Sequence, residues 1–214
     1  PLLLWVLTGY SYVGDTTNAL RRTLFLRYNG DLVVMTGLIL LAGGVLSAIT
    51  IGLFDLIGVP IEEFYFRYIG IWGLVAAPIV ATSLVQNNPH LVKYISPVIA
   101  RGFTPLVFVM LLVYLITIAF AGQNPYSDRN FLLLFNGLLV GVMALILFSI
   151  ADFARSARNK RGIGLLVGLV VLTVIVNGIA LSAILFRITT WGFTPNRLAV
   201  LGTNVLILAH LLLV

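Results

Sequence analysis

Arg187-Ile188-Thr189-Thr190-Trp191-Gly192-Phe193-Thr194-Pro195-Asn196-Arg197 is a polar, aromatic stretch between two apolar runs, each long enough to cross a bilayer. Reading it as a corner between two membrane spans decides the fold class. Thr194 is a good N-cap and Pro195 suits the first helical position, where no amide donor is required, so a helix is expected to start here. Asn196 and Arg197 then fall in its first turn, and Gly192 permits a sharp approach. Trp191 and Phe193 are expected at headgroup level as interfacial anchors. Arg187 and Arg197 bracket that aromatic pair. Two planar guanidinium forks so placed are suited to clamping a phosphate or carboxylate, an anion that a helix amino terminus beside them also favours.

The rest of the chain agrees with a membrane setting. Hydrophobic residues make up 60% and charged residues 9%, with a mean hydropathy of +1.10, against roughly 25% charged residues in soluble domains. The net charge of +6 is carried by residues flanking apolar runs, which reads as membrane anchoring and argues against nucleic acid as a partner. With no Cys in the chain, disulfides, thiol nucleophiles and thiolate metal sites are excluded together. The first residues lack a basic region ahead of their apolar run, so no cleavable signal peptide is read. The chain begins at Pro1 and stops inside an apolar run at Val214, as expected of a piece of a longer protein.

Working outward from the corner, an all-α polytopic bundle of about six spans is expected over 32–57, 64–85, 103–121, 131–151, 163–186 and 198–214, as one transmembrane domain from 32 to 214. Residues 1–31 precede it as an apolar scrap and an arm. Leu20, Leu24 and Phe25 among Arg21, Arg22 and Arg27 suggest an amphipathic interfacial helix there. Asn29-Gly30-Asp31 reads as a break before the first span. Gly37, Gly43, Gly44 and Ser47 thin one side of that span. Gly137 with Gly141, and Gly164 with Gly168, form GxxxG pairs expected to pack closely on neighbouring helices. Glu63 and Arg67 are spaced for an ion pair on one helical face.

Six spans sort the basic residues into two sets. Arg21, Arg22, Arg27, Lys93, Arg101, Arg155, Arg158, Lys160 and Arg161 share one side, and Arg67, Arg129, Arg187 and Arg197 the other. Because positive loops resist translocation, the arm and the loop 152–162 are expected in the cytoplasm and the 187–197 loop outside.

Arg-Ile, three residues, and then Gly-x-Thr-Pro-Asn-Arg between two apolar spans resembles the signature of a family of bacterial multi-pass membrane proteins catalogued as domain of unknown function 4153. In that family the residue before the Gly is usually Tyr; here it is Trp191. The resemblance covers about Asp31 to Val214 and implies a polytopic helical protein of a bacterial cytoplasmic membrane. It carries no activity, and it singles out Arg187, Gly192, Thr194, Pro195, Asn196 and Arg197.

Gly102-Phe103-Thr104-Pro105 recurs as Gly192-Phe193-Thr194-Pro195. Three spans separate the copies, the pattern of an inverted repeat, or of two helix starts using the same capping residues. No catalytic set is read: His90 and His210 stand apart, and Asp55, Glu62, Glu63, Asp128 and Asp152 lie at or near span ends rather than at the midplane. No metal or cofactor is expected. Asn136, Asn177 and Asn204 lie within three separate spans, either as hydrogen-bonded glue or as the lining of a polar path. Two functions follow from these features. One is a membrane-embedded interaction, assembly or sensory module that recognises a partner through the 187–197 loop, with lipids and a protein partner or oligomer around it. The other is a transporter or lipid-handling protein.

Overall fold

In this computed structural model, residues 2–14, 19–87, 95–121, 129–153 and 160–213 are described. They form helices α1 (Leu2–Val13), α2 (Ala19–Leu56), α3 (Glu62–Tyr65), α4 (Ile71–Asn87), α5 (Ile95–Ala121), α6 (Arg129–Phe153), α7 (Lys160–Trp191) and α8 (Pro195–Leu213), with one π-helical stretch at Phe66–Gly70. No strand occurs among the described residues. Six helical stretches are long and apolar enough to span a membrane: Leu20–Leu56, Glu62–Gln86, Gly102–Phe120, Asn130–Ala151, Gly162–Trp191 and Pro195–Leu213. The protein is therefore an all-α, multi-pass membrane protein. His90, Lys93, most of the 122–130 turn, and Arg155 and Arg158 of the 152–162 loop lie outside the described residues.

The expected break at Asn29-Gly30-Asp31 does not form. Helix α2 runs through it, with Asn29 Nδ2 donating to the Phe25 carbonyl at 2.8 Å. The basic arm is thus the first part of α2 and not a separate interfacial helix. A break at the edge of oil would leave backbone groups without partners, whereas an unbroken helix satisfies them internally.

Two compact units divide the chain, and their boundary cuts α2 between Gly43 and Gly44. The first unit takes residues 1–43 and 70–95. Here Gly9 is fitted against the Phe25 ring so closely that a Cβ would lie 2.8 Å from it. Tyr12 also packs on Phe25, with centroids 5.7 Å apart. Gln86 Nε2 reaches the Tyr28 hydroxyl at 3.4 Å. Met35, Ala77 and Ala81 are buried.

The second unit takes residues 44–69 and 96–214. The end of α2 closes on Gly58, whose φ of 74° lets its amide reach the Asp55 carbonyl at 2.9 Å while the Val59 amide reaches Phe54 at 3.0 Å. This Schellman closure satisfies carbonyls that a helix end otherwise orphans. The core joins Leu53 and Phe54 to Leu111 and Tyr114 of α5, Phe135 and Leu139 of α6, Val176 and Ala180 of α7, and Ile207 of α8. Tyr114 presents edge-on contacts to Phe54 and Phe135, with centroids 5.7 and 5.8 Å apart; such pairs contribute about 0.5–1.5 kcal/mol each beyond burial.

Three expectations change on inspection of this unit. Among the GxxxG glycines only Gly168 is closely packed, against the Phe108 ring, while a Cβ at Gly137, Gly141 or Gly164 would meet no described atom within 4 Å. Arg67 lies over the Tyr68 ring, 5.9 Å from its centroid, in place of the expected pairing with Glu63. Phe64 and Tyr68 do stack at the same spacing, with ring centroids 4.9 Å apart, so Arg67 is drawn to the face of a ring that is already fixed in place. Thr104 and Pro105 do not start a helix, because α5 already runs from Ile95. The Thr104 hydroxyl bonds back to the Ala100 carbonyl at 2.6 Å and meets Ser149 Oγ at 3.1 Å. The repeated tetrapeptide therefore takes two conformations and carries no evidence of a duplicated half.

Candidate functional site

Helices α6, α7 and α8 pack on one another, and the corner joining α7 to α8 is shorter than expected. Helix α7 continues through Arg187 to Trp191, so only Gly192, Phe193 and Thr194 are non-helical. Gly192 has φ of 77° and its amide donates to the Ile188 carbonyl at 2.9 Å, an αL closure that suits glycine. Two residues on, the chain turns into α8. The Arg197 amide donates to Thr194 Oγ1 at 3.3 Å and the Leu198 amide to the Thr194 carbonyl at 3.0 Å, so Thr194 caps α8 and Pro195 takes its first position as the sequence implies.

Arg197 has a second role that the sequence does not announce. Its Nη1 donates to the carbonyls of Trp191 and Gly192, at 2.8 and 2.7 Å. A residue in the first turn of α8 thereby closes the end of α7, where the partial negative charge of the helix terminus favours a cation. Both arginines also lie over one indole: Arg187 and Arg197 are 5.8 and 5.9 Å from the Trp191 centroid, within the range of cation–π attraction. Phe186 meets the same ring edge-on at 6.2 Å. Trp191 and Phe193 remain exposed by 51% and 74%, and Asn196 is exposed as well. The corner is a cluster of ring and guanidinium contacts that leaves the aromatic surfaces of Trp191 and Phe193 exposed.

The three asparagines do come together. Asn204 Nδ2 donates to Asn136 Oδ1 at 2.8 Å and to the Val200 carbonyl at 3.0 Å. Asn177 Nδ2 donates to the Asn204 carbonyl at 3.2 Å and lies 3.4 Å from Asn204 Oδ1. One residue from each of α6, α7 and α8 thus enters a single network, with Asn177 and Asn204 fully buried. Asn177 Oδ1 is buried without a hydrogen-bond partner. His210 stands apart from this cluster, exposed on α8, with its ring Nδ1 at 2.9 Å from the Leu206 carbonyl.

What the corner offers chemically, among the described residues, is cations, aromatic faces and threonine hydroxyls. The asparagine cluster can only donate and accept hydrogen bonds. No family model, curated protein or solved structure matches the chain.

Proposed function

We propose that this chain is a membrane-embedded interaction, assembly or sensory module whose recognition feature is the α7–α8 corner. The observation that carries the reading is the spending of the asparagine amides on one another: Asn177 and Asn204 are fully buried and bonded together. Residues lining a water-filled path would instead turn amides toward that water. The alternative, a transporter or lipid-handling protein, draws on the unpartnered Asn177 Oδ1.

The Arg187 to Arg197 signature supports placing the chain with the bacterial family of domain of unknown function 4153, in a cytoplasmic membrane. Six spans and the unequal spread of basic residues support a cytoplasmic amino-terminal arm and 152–162 loop, with the corner outside. Because the chain has no Cys, single cysteines test both readings. Asn177→Cys is expected to resist an impermeant thiol reagent in intact membranes; ready labelling would favour transport. A photo-crosslinker on Thr190→Cys is expected to capture a protein partner or second copy, while one on Leu212→Cys captures neither. Equal yields from the two positions would overturn the recognition role.

A further inference from the structure

The asparagine node of α6, α7 and α8 ends on an acceptor that no donor among the described residues reaches. Asn177 spends its Nδ2 on Asn204, donating to the backbone carbonyl at 3.2 Å with Oδ1 of the same residue at 3.4 Å. Its own Oδ1 is buried with no hydrogen-bond partner. Turning the amide over does not cure this, because Oδ1 would then face the Asn204 carbonyl, oxygen against oxygen, and the amide hydrogens would be stranded in its place. The unmet demand is for a donor.

One turn back on the same helix, Thr173 is fully buried as well. Its hydroxyl hydrogen goes to the Leu169 carbonyl at 2.6 Å, so what it has left are lone pairs. Residues four apart on a helix carry Cβ atoms about 5–6 Å from each other, a span that two hydrogen bonds of about 2.8 Å meeting at one oxygen can cover. Two buried acceptors one turn apart therefore call for a molecule that supplies two hydrogens. Water does so, and buried waters characteristically bond to polar groups left over in this way. A metal cation does not fit, since two neutral oxygens fall short of the six or more that hard cations take. Ala180, three residues beyond Asn177 and also fully buried, presents only a methyl group, so the next position on this face of α7 adds little bulk.

We propose that one long-lived water molecule is bound inside the bundle, donating to Asn177 Oδ1 and Thr173 Oγ1. The site lies near the middle of the Gly162–Trp191 span; it goes beyond the recognition role of the corner and rests on the reading of the asparagine node as closed to bulk water. The test is magnetisation transfer from water to the Asn177 side-chain amide, read by nuclear Overhauser spectroscopy on the full chain with isotope-labelled asparagine in detergent. The resonance is assigned by its loss in Asn177→Leu. Dipolar transfer from a long-lived water is expected in the native chain and in Thr173→Ser, which keeps the hydroxyl. It is expected to be lost in Thr173→Val, which keeps the shape without the oxygen. No transfer in the native chain, transfer of the sign given by a rapidly exchanging water, or equal transfer in Thr173→Val would each overturn the proposal. The native-chain measurement decides by itself should Thr173→Val fail to fold. Absent transfer with Asn177→Cys still resistant to the impermeant reagent would sink this inference alone, whereas ready labelling of Asn177→Cys would sink the closed-node reading beneath it.

Discussion

At the scale of single residues, the corner is built from two local devices that meet. Gly192 ends one helix in a left-handed conformation and Thr194 begins the next. Replacing Gly192 by Ala is expected to cost about 1–2 kcal/mol, since a Cβ is disfavoured at positive φ; with no neighbour within 4 Å, the effect comes from the backbone and not from a clash. Thr194→Ala is expected to cost about 1 kcal/mol through loss of the cap. Thermal unfolding in a fixed detergent measures both, and a stabilised Gly192→Ala variant would contradict the turn described here. The cap was legible in the sequence because its chemistry spans four residues. The same Thr-Pro pair at Thr104 misleads because its hydroxyl answers to Ala100 one turn back and to Ser149 on another helix. The carbonyl bonds of Arg197 were hidden for a related reason: they depend on how sharply α8 folds back beside α7.

Among the helices, α6, α7 and α8 are tied by a directional chain in which Asn177 donates to Asn204 and Asn204 to Asn136. Removing the Asn204 side chain takes the donor from Asn136 Oδ1 and the 3.4 Å amide neighbour from Asn177, which keeps only its bond to the residue 204 backbone carbonyl, and an unmatched buried polar group costs about 1–3 kcal/mol. Asn204→Leu is therefore expected to destabilise the protein more than the triple replacement of Asn136, Asn177 and Asn204 by Leu, measured by the midpoint of denaturant unfolding in detergent. A triple variant less stable than Asn204→Leu would show that the amides do more than satisfy one another. Sequence position placed these residues in three different spans, and the length of the apolar runs identified the spans themselves, because apolar length is a one-dimensional property. It did not pair the side chains, since which faces meet depends on helix rotation. The open faces at Gly137 and Gly141 make the same point: a small-residue spacing permits close approach without supplying the neighbour.

For the molecule as a whole, the count of spans governs which surfaces share a compartment. Cysteines at Ser127 and Thr190 are expected to react with an impermeant reagent from outside and one at Ser156 only after lysis; labelling of Thr190 and Ser156 from the same side would overturn the orientation. Helix α2 adds a consequence of sheer length. Its 38 residues measure about 57 Å at 1.5 Å each, while the oily slab is only about 30 Å deep. The helix therefore has more length than one crossing needs. Arg21, Arg22 and Arg27 stand near its amino-terminal tip. Longer acyl chains would cover more of that length before the guanidiniums met the oil.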